Sequence, residues 1–174
     1  MAAGTAIAVL GGQALAGGAG RPAVTIASGS FAGYSWSVEV QGGNDQRCYE
    51  VSLTGKSSAG VRGVCTIDAL RPPLWSRLVA VGQENATVEL AVTRLRVRSM
   101  RLRIGHTESR HGARWVHLRN RRLTPGQADQ ADVRRDFRYA VLRSRGTFCV
   151  QKAILFNREH DRIAKLHTPC EFPR

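Results

Sequence analysis

Five histidines, four cysteines and a scatter of acids are the residues of this chain that could do chemistry. His106 and His111 share one polar stretch, His117 falls in the strand that follows, and His160 and His167 lie near the end. That spacing fits no metal-ligand motif, and no acidic cluster completes it, so no metal is expected. A Cys–His nucleophilic pair needs a free thiol. Gly29-Ser30-Phe31-Ala32-Gly33 places Phe31 where a nucleophile elbow carries serine. Glu159 and Asp161 sit in the turn-like stretch Asn157-Arg158-Glu159-His160-Asp161, an ordinary place for such residues. No glycine-rich phosphate loop is present. No catalytic residue, metal or cofactor is therefore assigned, and the chain reads as non-catalytic.

The cysteines carry a different chemistry. Cys48, Cys65, Cys149 and Cys170 are even in number and widely spaced, with no C-x-x-C, which argues against a zinc ribbon or a thioredoxin-type site. Three pairings are open. The local one, Cys48–Cys65 with Cys149–Cys170, closes two modest loops and joins neighbouring strands. Disulfides persist in oxidising compartments. The first residues agree with that compartment. Met1 to Gly20 contains no charge, Thr5 to Leu10 is apolar, and Ala14-Leu15-Ala16 fits a small-x-small cleavage site. The stretch lacks the basic start of a secretory signal. An uncleaved anchor is the alternative, since about 20 residues can span a bilayer, although Gly11, Gly12, Gly17, Gly18 and Gly20 make a poor anchor helix. A disordered leader is the third. The cysteines favour export, to the cell envelope or the exterior.

Charge has an address. The chain of 174 residues has net charge +13, from 23 arginines, three lysines and 13 acids. Between Arg94 and Arg145 there are 15 arginines and four acids, whereas residues 1–93 balance at six of each sign. Such a field attracts polyanions; arginines on strand surfaces also keep a sheet soluble and discourage edge pairing. From Thr93 to Ile104 arginine alternates with apolar residues. A period of two places Leu95 and Val97 toward a core and Arg94, Arg96 and Arg98 toward solvent. The phase then slips: Met100, Leu102 and Ile104 become the apolar set, opposite Arg101 and Arg103. A bulge or tight turn at Arg98-Ser99-Met100 must absorb the slip. With Arg119, Arg121 and Arg122 these arginines form the expected polyanion-binding face.

The elements that would hold this face read as short strands. Ser35 to Val40 alternates with Trp36, Val38 and Val40 inward, and Cys48 to Leu53 with Tyr49, Val51 and Leu53. Further strands are expected over 61–67, 74–82, 88–104, 114–119, 137–142, 148–156 and 162–167. One short helix is expected over Gln127 to Asp136, with Thr124 as N-cap, Pro125 at its first position, and Arg134 and Arg135 at its C-terminal end. Many short strands separated by turn signals predict an all-β fold, an antiparallel sandwich or a partly open barrel. Residues 1–33 read as leader and flexible lead-in, and 34–174 as a single domain.

Gly33-Tyr34-Ser35-Trp36, the Cys48 and Cys65 pair, Phe148-Cys149-Val150 and the hairpin from Leu155 to Ala164 together resemble a group of exported β-sandwich proteins of actinobacteria. No activity is assigned to that group, so the resemblance implies a fold and a compartment but no site. The expected role is to bind an anionic envelope polymer or lipid surface through the arginine-rich face. The alternative is binding to nucleic acid without sequence specificity. Trp115, Phe137 and Tyr139 lie beside basic residues and could stack bases; they also alternate as core residues do.

Overall fold

The computed structural model describes residues 22–43, 46–55, 59–66, 75–81, 86–106, 113–146 and 148–167. The apolar leader, His111 and Cys170 lie outside them. Among the described residues, eleven strands form three antiparallel sheets. The N-terminal sheet joins β1 (Val24–Phe31), β2 (Tyr34–Gly43), β3 (Gln46–Thr54) and β4 (Ala59–Thr66) in chain order. The middle sheet has the order β5 (Trp75–Val81), β6 (Ala86–Arg94), β9 (Phe137–Arg145). The C-terminal sheet has the order β11 (Arg162–His167), β10 (Phe148–Phe156), β7 (Ser99–His106), β8 (Arg114–Arg119). The fold is all-β and sandwich-like, and among the described residues no sheet closes into a barrel.

The middle sheet is covered on both faces. Ala86, Val88, Leu90 and Val92 of β6 pack with Trp36, Val38, Val40, Val51 and Leu53 of the N-terminal sheet. Ala91, on the opposite face, joins Ala140 and Leu142 of β9 in a second core with Met100, Leu102, Ile104, Val150, Ala153 and Leu155. Apolar burial drives both contacts, at about 1.5–3 kcal/mol for each fully buried Val, Leu or Ile. The expected inward sets of β2 and β3 are buried as their alternation requires.

Three expectations are corrected. The lead-in contributes a strand: β1 pairs with β2, and Ile26 is buried in the first core. A shift of register between Thr25 and Ala27 breaks its alternation, which hid it from a period-of-two reading. The helix, α1 (Pro125–Ala131), has the expected Thr124 cap: its side chain accepts from the Gln127 amide, and the Gln127 side chain accepts from the Thr124 amide. It ends five residues early. Asp132 takes a left-handed conformation (φ 54°, ψ 45°), and the Val133 amide returns to the Ala128 carbonyl. Arg134 and Arg135 therefore lie beyond the helix.

The third correction concerns the arginine stretch. It is not one strand. The Val97 amide donates to the Arg94 carbonyl at 3.0 Å, closing a tight turn that carries the chain from the middle sheet to the C-terminal sheet. The turn lies four residues before the expected slip. Buried groups from elsewhere hold it. The Asn120 side-chain amide donates to Thr93 Oγ1 at 2.8 Å and to the Val97 carbonyl at 3.3 Å. The Arg138 guanidinium donates to the carbonyls of Leu95 and Asn120 at 2.9 and 3.1 Å.

Candidate anion-binding surface

The turn and the end of β8 divide the eight predicted arginines. Arg101 and Arg103 point outward from β7, because Met100, Leu102 and Ile104 point into the core. Arg119 stands at the end of β8, opposite Ser99. The other five are off the sheet face. Arg94 is the last residue of β6, Arg96 and Arg98 are exposed around the turn, and Arg121 and Arg122 follow β8. Burial, then the charges of Arg98 and Arg122, push the Arg138 guanidinium below its ordinary pKa. This end of the molecule is thus a second cationic cluster, built around a structural arginine.

The outer face of the C-terminal sheet gathers cations that are distant in sequence. Arg103 of β7 lies opposite Trp115 of β8 and Lys152 of β10, and Arg101 lies opposite His117 and Ile154. His167 and Lys165 of β11 complete the row beside Lys152 and Ile154. The strands β7, β8, β10 and β11 contain no Asp or Glu. Partial desolvation, then the charges of Lys165, Arg103 and Arg162, lower the Lys152 pKa. Like charges held this close favour an anion that relieves their repulsion.

Trp115 sits among them. It is 42% exposed, with the Arg101 guanidinium 5.2 Å and the Lys152 ammonium 6.0 Å from its ring centroid. Both are cation–π distances. Phe137 and Tyr139, the other aromatics suggested as stacking platforms, are buried at 0% and 4% exposure. Phe137 packs edge-on against Tyr49 and beneath Arg47, and the Tyr139 hydroxyl donates to the Ile26 carbonyl. They are core residues, so Trp115 is the one aromatic of the three that a ligand can reach.

Sequence reasoning missed Lys152, Lys165 and His167, which lie outside the arginine-dense segment and join the face only by strand pairing. Their own alternation was the available signal: Ala153, Leu155, Ala164 and Leu166 mark the opposite, inward face.

The disulfide expectation holds in part. Cys48 and Cys65 are bonded and lie directly opposite each other on β3 and β4. Cys149 is also disulfide-bonded; Cys170, its expected partner, lies outside the described residues. Among the described residues no helix is long and apolar enough to cross a membrane. No family model matches the chain, and neither a curated protein nor a solved structure does.

Proposed function

We propose that this protein is exported and non-catalytic, and that it binds an anionic polymer of the cell envelope through the outer face of its C-terminal sheet. The reading rests on one observation: Arg101, Arg103, Lys152 and Lys165 share the outer face of four strands without an acid with an exposed Trp115, whose ring Arg101 and Lys152 approach. The disulfides support an oxidising compartment. The resemblance to exported actinobacterial β-sandwich proteins supports the same placement. An anionic lipid surface offers the same charge and is the second member of this class.

Binding of this kind falls with salt. Each phosphate neutralised on duplex DNA, a convenient reference polyanion, contributes about −0.9 to the slope of log K against log salt. Arg101→Gln with Arg103→Gln should flatten that slope by up to about 1.8 and leave the fold intact, because exposed arginines add little stability. An unchanged slope refutes the face.

Nucleic acid is the alternative partner, and the exposure of Trp115 favours it. Stacking on one aromatic contributes about 1–3 kcal/mol per base. Single-stranded DNA should then outcompete heparin of equal charge, and Trp115→Ala should abolish the preference. Equal affinity for the two polymers points to the envelope reading.

A further inference from the structure

A separate cleft forms where three sheets meet at their edges. β1, β9 and β8 are each the edge strand of their sheet. Phe31 ends β1, Arg143, Ser144 and Arg145 end β9, and Arg114 begins β8. Together they line an open cavity of about 450 Å³. Ligand sites commonly measure about 300–1,000 Å³.

Its chemistry is lopsided. Three exposed arginines line the cavity, and among the described residues no acid lines it. Arg143 is held in place: its guanidinium lies 5.5 Å over the ring of Trp36. Ser144 is buried, and its hydroxyl donates to the Arg145 carbonyl, which orders the strand end that presents both arginines. Phe31, half-buried, supplies an apolar wall. Guanidinium forks match the oxygens of phosphate in pairs. Three of them suit a dianion better than a carboxylate, and the wall suits a carbon body attached to it.

We propose that this three-edge cleft binds a phosphate ester, with the doubly charged phosphate held by Arg114, Arg143 and Arg145 and the carbon body against Phe31. The site is independent of the outer sheet face, since it shares no residue with it.

Calorimetric titration with phenyl phosphate, inorganic phosphate and benzoate near pH 7.5 tests the proposal. Phenyl phosphate should bind at one site per chain, more tightly than either of the others. Arg114→Gln with Arg145→Gln should weaken it by about tenfold or more per arginine, whereas Arg101→Gln with Arg103→Gln should leave it unchanged. The cleft proposal is overturned by absence of saturable binding, by benzoate or inorganic phosphate binding as tightly, or by affinity retained in the Arg114/Arg145 variant. Affinity lost in the Arg101/Arg103 variant also overturns it and assigns the phosphate to the sheet face. Should the Arg114/Arg145 variant not fold, the side-chain Nε–H resonances of the wild-type protein decide. Shifts at Arg114, Arg143 and Arg145 support the site, and shifts only at other arginines refute it.

Discussion

Ala32 and Gly42 show how single positions are constrained by backbone rather than by side chain. β1 and β2 are joined by a two-residue turn in which Ala32 and Gly33 both have positive φ, 52° and 81°. Glycine takes this conformation freely, and alanine does so at a cost of about 1–2 kcal/mol. Asn-Gly is the favoured pair for such a turn. Ala32→Asn should raise stability by up to about 1 kcal/mol in urea denaturation. Gly42 is constrained from outside: a Cβ there would meet the Asp132 carbonyl oxygen at the end of α1. Gly42→Ala should displace the helix and lower stability by about 1–3 kcal/mol, read the same way. Arg47 is a third case. It is buried, with Nη2 2.7 Å from Asp136 Oδ1 and its guanidinium carbon 4.6 Å from the centroid of Phe137. It ties β3 to the start of β9 and is structural despite its charge.

At the scale of elements, the middle sheet explains why charge counting along the chain misleads. β6 is buried on both faces along nearly its whole length, and Glu89 within it is fully buried. Arg77 on β5 donates to both Glu89 carboxylate oxygens, at 2.5 and 2.7 Å. Burial still outweighs the arginine, so the Glu89 pKa lies above its ordinary value of 4.5. The sign follows. Below the unfolded value both states are protonated. As pH rises, the unfolded chain loses its proton first, so stability falls until the folded-state pKa is passed. Urea denaturation from pH 4 upward should show this decline in the wild type and a smaller one in Glu89→Gln. The C-terminal sheet behaves oppositely. Its inner face is apolar and its outer face cationic, so β7 presents Arg101 and Arg103 to water without desolvating them. Changing Leu102 on the same strand to Gln should destabilise by about 1–3 kcal/mol, through an unsatisfied buried amide.

For the whole molecule, the Cys48–Cys65 bond staples an edge strand whose other residues are largely exposed. Val61 and Val64 of β4 are 41% and 39% accessible, so packing alone holds this strand weakly. Replacing both cysteines by Ala should lower stability by about 2–4 kcal/mol in urea denaturation, with the loss centred on β3 and β4. What the sequence determined alone was local and periodic. The alternation of Trp36, Val38 and Val40, of Tyr49, Val51 and Leu53, and of Met100, Leu102 and Ile104 assigns faces, because a strand's side chains alternate whatever it packs against. Thr124 and Pro125 assign a helix start, because their effect reaches only the first turn. The all-β class and the opposed cysteines were legible in the same way. Tertiary structure decided which strands share a sheet. The turn at Arg94 to Val97 contains no glycine, proline or asparagine, so nothing local marks it. Asn120 and Arg138 impose it from more than 20 residues away by filling its buried carbonyls. That turn removed Arg94, Arg96 and Arg98 from the expected face, Arg121 and Arg122 fall beyond the end of β8, and strand pairing put Lys152, Lys165 and His167 on the face instead. A charge pattern along a chain becomes a surface only when the pairing of distant strands sets its neighbours, and pairing depends on contacts that no window of sequence contains.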